Sequence, residues 1–257
     1  MYKNDSPIKP FRLSDELYHV GGMKGPCYLL DCGDCLTLID TSCPDNTDYL
    51  IDNISSLGYD IKKVKHLIHT HAHYDHYGCT NELFAITGAT TYGGEKDLDY
   101  FKGADPYNKW GEKIAFTPDV LLGDGDVLSF GNRDIRFVHT PGHSEGVMSL
   151  FFTLQVDGVP YLGGMFGGAG YAALEGKVYS DFEMTKIASR QYVAGIDKII
   201  NEPVKIHIGN HLGNNNSLEK LEYKGDGNPF LIFETYRPFL TERRRYAMEL
   251  IDKESES

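Results

Sequence analysis

A chain of 257 residues with 41% hydrophobic and 24% charged side chains can bury an ordinary globular core. Its formal net charge of −12 removes the basic face that nucleic-acid binding needs, and no apolar run is long enough to span a membrane. The five cysteines are odd in number and four of them crowd between residues 27 and 43, which is not the framework of a disulfide-stapled secreted protein.

The lead, Met1 to Asp15, is polar and lacks the apolar segment of a secretory signal, so a cytoplasmic protein is expected. A short strand is predicted at 17–20, then a hairpin over 27–39. Cys32-Gly33-Asp34-Cys35 falls at its turn, where Gly33-Asp34 reverses the chain and the thiols serve packing rather than redox or metal chemistry. Residues 45–57 carry a helical pattern (Tyr49, Leu50, Ile54, Leu57) closed by Gly58. A strand at 64–69 follows, then helix at 80–87, an extended piece at 89–92 and helix again at 94–101. Periodicity vanishes from Lys102 to Pro118, a long loop holding Tyr107, the chain's single tryptophan, Trp110, and Phe116. Loops of this length are usually functional or disordered, and aromatic content favours function, so these side chains are candidates for a substrate wall.

Strands at 126–130 and 134–139 should pair across Gly131-Asn132, and strands at 147–154 and 159–163 across Asp157-Gly158. A glycine-rich run, Gly163 to Gly170, comes next. Its glycines either let the loop approach a site closely or offer backbone N–H groups to an anion. Residues 181–200 read as a long amphipathic helix, 204–208 as a strand, and 235–252 as a terminal helix. The pattern predicts an α/β protein of one domain over 1–257, with residues 1–15 as a polar lead and 253–257 as a charged tail. Two mixed β-sheets should pack face to face with helices outside, an αββα sandwich.

The densest chemistry lies in His71-Ala72-His73-Tyr74-Asp75-His76, directly after the apolar run Val64, Leu67, Ile68. On a regular strand His76 would face away from His71, His73 and Asp75, so the four converge only if the chain leaves the strand and turns here. Imidazoles and a carboxylate suit zinc, and four such residues exceed what one catalytic ion with an open position requires, which points to two ions.

HAHYDH matches the HxHxDH signature of the metallo-β-lactamase superfamily. Thr140-Pro141-Gly142-His143-Ser144 resembles that family's second motif, and Gly209-Asn210-His211 its last metal-binding segment. The resemblance implies His71, His73 and His143 as ligands of a first zinc ion and Asp75, His76 and His211 as ligands of a second. It implies Asp75 as the acid–base group and Asp40 as a support for a ligand histidine. Three imidazoles leave one tetrahedral position open for water, in keeping with hydrolytic chemistry. The other histidines, 19, 66, 69, 139 and 207, fall in or beside predicted strands and read as structural.

Many family members place a metal-bridging Asp in the strand near position 164, but here the stretch is Tyr161-Leu162-Gly163-Gly164-Met165-Phe166, without an acid. A weaker, more exchangeable second site follows. The departure resembles the subclass B3 metallo-β-lactamases, as do Lys9-Pro10-Phe11-Arg12, the segment from Asp119 to Phe130, and Asn228-Pro229-Phe230. The implied activity is zinc-dependent β-lactam hydrolysis. Intracellular hydrolysis of a lactone, thioester or phosphodiester is the alternative, and an iron reductase or a vestigial site is less consistent with the ligand set. Tyr171 and Asn214 are further candidates to donate hydrogen bonds to a small-molecule substrate.

Overall fold

A computed structural model describes residues 5–104, 110–178 and 182–255. The first sheet has seven strands: β1 (Phe11–Arg12), β2 (Leu17–His19), β3 (Tyr28–Asp31), β4 (Leu36–Ile39), β5 (Val64–Ile68), β6 (Thr90–Gly94) and β7 (Val120–Leu122), in that spatial order. β1 to β4 run antiparallel, and β4 to β7 run parallel, as connections through helices require. The second sheet is built from β8 (Val127–Phe130), β9 (Arg133–His139), β10 (Met148–Val156), β11 (Val159–Met165) and β12 (Ile206–His207). It is antiparallel except for the β11–β12 pair.

Alternation along the strands sorts side chains between layers. Leu30, Ile39 and Ile68 of the first sheet meet Ile135, Phe137, Leu150, Phe152 and Leu154 of the second in one buried core. Leu29, Leu38, Val64 and Leu67 point the other way, onto α1 (Thr47–Ser56) and its Tyr49, Leu50 and Ile54. Val138 and Phe151 face the outer side of the second sheet. There they pack under α4 (Phe182–Ile199) and α7 (Tyr236–Ser255) through Tyr192, Ile196, Tyr236 and Leu240. Successive side chains of a strand point to opposite faces, so both faces of each sheet are covered and four layers result. The expected αββα sandwich is the fold.

Several local expectations need correction. The run 94–101 is helical as expected but irregular, a 3-10 turn at Glu95–Asp97 leading through Leu98 and Asp99 into a wider turn at Tyr100–Ala104, where Gly103 takes a left-handed φ of 102°. The strand expected at 204–208 pairs only over Ile206–His207. Strands β1 and β7, and the short helices α5 (Ser217–Leu221) and α6 (Pro229–Ile232), carry too little periodicity to be read in sequence. The hairpin at Asp157-Gly158 forms as its sequence demands, both residues having positive φ, 53° and 74°.

Candidate metal centre

β5 ends at Ile68, and the chain after it neither continues as strand nor wanders. Tyr74–Tyr77 closes one helical turn (α2), preceded by His73 in extended conformation (φ −99°, ψ 144°). That change of geometry brings His76 to the same side as its neighbours. His143 arrives on the loop between β9 and β10, and His211 on the segment after β12. Two groups of potential ligand atoms result, His71 with His73 and His143, and Asp75 with His76 and His211, the atoms of each group lying within 4.8 Å of one another.

In the first group His71 Nε2 lies 3.0 Å from His73 Nδ1 and 3.1 Å from His143 Nε2. In the second, His76 Nε2 and His211 Nε2 are 3.3 Å apart, and Asp75 Oδ2 lies 3.7 and 3.8 Å from them. The edge of a tetrahedron around an ion with bonds of ~2.0–2.1 Å is about 3.3 Å, so these spacings suit a small cation.

The outward-facing nitrogens settle which atoms carry hydrogen. His143 Nδ1 lies 3.0 Å from the Gly170 carbonyl and His211 Nδ1 2.9 Å from the Lys24 carbonyl, so both must donate there. The Thr70 hydroxyl donates to Asp40, leaving it to accept from His71 Nδ1 at 3.1 Å. His76 Nδ1 faces Asp40 Oδ2 at 2.8 Å. In their neutral forms these four imidazoles therefore turn an unprotonated Nε2 inward. No hydrogen bond joins two lone pairs, and the His71–His143 contact needs a cation between them. A proton does not serve: burial, and then the neighbouring histidines, hold His71 well below the ordinary imidazole range, and burial first among its causes takes His143 down to about 4. His73 and His211 are lowered as well, chiefly by burial. Burial pulls His76 down too, but the Asp75 and Asp40 carboxylates outweigh it and its pKa is raised. The donor set of both groups thus fits divalent ions of the zinc type.

Asp40 sits just beyond β4 with a left-handed φ of 60°, fully buried, its carboxylate accepting from Thr70 N (2.8 Å) as well as from Thr70 Oγ1 and His76. The glycine-rich segment packs closely. A Cβ at Gly168 would fall 2.8 Å from His143 Cδ2, and one at Gly170 2.7 Å from His143 Cε1. Close approach is therefore one use these glycines have, and no acid from the segment joins either ligand group among the described residues.

Tyr107 lies outside the described residues. Trp110 and Phe116 are half-buried against a small cluster of Ala72, Tyr77, Phe101 and Ile114 that underlies the histidine loop. Tyr171 lies against Tyr246, the rings tilted by 41° with centroids 4.3 Å apart, and beneath the Arg243 guanidinium at 4.6 Å. Asn214 caps back to the His211 carbonyl through its N–H, and its side-chain amide nitrogen is buried without a partner among the described residues. His69 bridges Tyr92 O and Thr80 Oγ1, and His207 contacts Thr235 Oγ1. Sequence reasoning passed over Thr70, the carbonyls of Lys24 and Gly170, and Asp97. Thr70 alone had a signal, standing beside the first ligand.

Comparison with known proteins agrees with this geometry. Residues 20–156 match the family model described as the metallo-beta-lactamase superfamily. An uncharacterized protein of Bacillus subtilis, YobT, is 27% identical over 179 residues, covering 63% of this chain and 71% of that one. The hydroxyacylglutathione hydrolase of Rhodospirillum rubrum is 30% identical over 128 residues, 49% of this chain but only 42% of the relative's length. Among solved structures, BJP-1, a subclass B3 metallo-β-lactamase of Bradyrhizobium japonicum, superposes with a TM-score of 0.85 at 28% identity, over 99% of this chain and 98% of that one. FEZ-1, the metallo-β-lactamase from Legionella gormanii, shares the fold with a TM-score of 0.86 at 24% identity over the whole of both chains. With its sandwich of two mixed sheets and its paired histidine clusters, the chain belongs to the metallo-β-lactamase superfamily and is a metallo-hydrolase of B3-like architecture.

Proposed function

We propose that the protein is a dinuclear zinc hydrolase that opens β-lactams. The observation that carries the dinuclear reading is the pair of three-ligand groups, in the first of which the Nε2 lone pairs of His71 and His143 converge at 3.1 Å with no hydrogen between them. His71, His73 and His143 would hold one ion, and Asp75, His76 and His211 the other. Zinc, when bound, supplies Lewis acidity toward a carbonyl oxygen and toward water. The protein's own residues do the rest. Four of the histidines turn an Nε2 into the site, and Asp40, the Thr70 hydroxyl and the Lys24 and Gly170 carbonyls fix their tautomers. Asp75, partly exposed between the two histidines of its group, accepts a proton from the attacking water and returns it to the leaving nitrogen. With no carboxylate shared between the two groups, the second ion is expected to be the more exchangeable.

Support for a lactam comes from likeness to BJP-1 along the entire chain. The second reading, an intracellular thioester, lactone or phosphodiester hydrolase, is favoured by the hydroxyacylglutathione hydrolases, whose match stops at less than half of their length. Tyr107, Trp110, Tyr171 and Asn214 remain the side chains proposed to meet substrate. The same reading takes residues 1–257 as a single domain, and five free cysteine thiols accord with a reducing, cytoplasmic location.

The test is a zinc count on purified protein together with turnover of a chromogenic cephalosporin before and after chelation. Two ions and chelator-sensitive turnover are expected. Two ions without turnover would remove the lactam and leave the ester-type substrates, and iron in place of zinc would overturn the mechanism.

A further inference from the structure

Asp97 ends the 3-10 turn that follows β6 and is completely buried, with no cationic partner among the described residues. Its carboxylate is fully used. Oδ2 accepts from Ala72 N at 2.9 Å and from Ser144 Oγ at 2.7 Å, while Oδ1 accepts from Gly146 N at 2.6 Å. Ala72 stands between His71 and His73, and Ser144 follows His143. Every histidine of the first ligand group is thus a chain neighbour of an atom that Asp97 holds.

The two loops it joins leave different sheets, one following β5 and the other lying between β9 and β10. Two glycines permit the approach. A Cβ on Gly94 would fall 2.0 Å from Gly146 O, and one on Gly146 2.3 Å from Asp97 N. Three donors converge on two acceptor oxygens, which only a carboxylate can satisfy. An amide in its place would turn its NH₂ toward Ala72 N–H or Gly146 N–H, donor against donor, whichever way it is flipped. The second ligand group takes nothing from this clamp, since His76 rests on Asp40 and His211 on Lys24 O.

We infer that Asp97 is a positioning residue that holds the loops of His71, His73 and His143 in register for the first metal ion and leaves the second ion's site untouched. The inference rests on the dinuclear reading above and adds to it a site-selective role for a residue that binds no metal itself.

Zinc titration of the chelator-stripped protein against a competing chromophoric chelator resolves the two binding steps. In Asp97→Asn, one dissociation constant is expected to weaken about 10–100-fold, the usual range for loss of a ligand-supporting partner, while the other stays within about threefold. The loss should persist in a His211→Ala background, where the first group is intact, and disappear in His143→Ala, where it is not. Ser144→Ala, which deletes one of the three bonds, provides the milder version should Asp97→Asn fail to fold, and should weaken the same step. Two unchanged constants alongside a lowered thermal midpoint of the metal-free protein would show that Asp97 merely braces the fold, and overturn the inference alone. A wild-type protein that binds no zinc would overturn the dinuclear reading and this inference with it.

Discussion

Asp40 Oδ2 lies 2.8 Å from His76 Nδ1, and both side chains are removed from solvent. One carboxylate thereby sets the ring orientation of a histidine 36 residues away and ties it to Thr70, the neighbour of His71. Asp40→Ala deletes this support and leaves Thr70 N–H and His76 Nδ1–H without an acceptor. Affinity for the second ion should fall by about 10–100-fold, measured by the same chelator competition. An unchanged second constant would show that His76 needs no orienting partner.

Gly170 touches the site from the opposite wall. A methyl group there would stand 2.7 Å from His143 Cε1 and 3.0 Å from its Nδ1. Gly170→Ala should therefore cost about 1–3 kcal/mol, as overpacking does, and reduce zinc content by displacing His143. Calorimetry and metal analysis read the two effects separately. Full occupancy with unaltered stability would mean that the glycine-rich loop yields freely.

His19 lies in the core between Phe11, stacked at 4.9 Å, and Tyr28, edge-on at 5.1 Å, and neither ring nitrogen has a partner among the described residues. Burial drops its pKa from 6.5 to about 3. Between those values the unfolded chain binds a proton that the folded one refuses, so stability is complete above pH 6.5 and is lost as pH falls toward 3. The His19 share of that loss is about 2 kcal/mol at pH 5. His19→Phe should abolish it, which urea unfolding of wild type and variant at pH 7.5 and pH 5 will check. Equal losses in both proteins would refute this account.

Lys220 is a second cationic group in a similar predicament. It is buried, its ammonium donates to Thr235 Oγ1 at 3.1 Å and lies 5.3 Å above the Phe230 ring, and desolvation brings its pKa down to about 8. The unfolded chain holds that proton up to about pH 10.5, so stability associated with Lys220 should rise as pH increases from about 8 to 10.5. Lys220→Met should remove the rise and be at least as stable as wild type at pH 7. A variant markedly less stable at pH 7 would show that the ammonium's two contacts outweigh its desolvation.

Much of this protein was legible in the chain alone. Local patterns suffice for α1, the hairpins at Gly131-Asn132 and Asp157-Gly158, and the amphipathic α4, because hydrophobic periodicity and turn chemistry are properties of neighbours in sequence. The HAHYDH run announced its metal chemistry for the same reason, having four donors within six residues. The segments 140–144 and 209–211 were readable only beside it, since a lone loop histidine is chemically ordinary.

What tertiary structure decided is everything that depends on contacts across the fold. Asp97 reaches Ala72 and Ser144 from 25 and 47 residues away, and the carbonyl of Lys24 reaches His211 from 187. No periodicity or spacing marks such pairs, because backbone carbonyls look alike in any sequence and a buried aspartate cannot be told from an exposed one until its donors are found. The sequence determined which residues could bind a metal. The packing of two sheets determined which of their nitrogens face inward, and which distant groups keep them there.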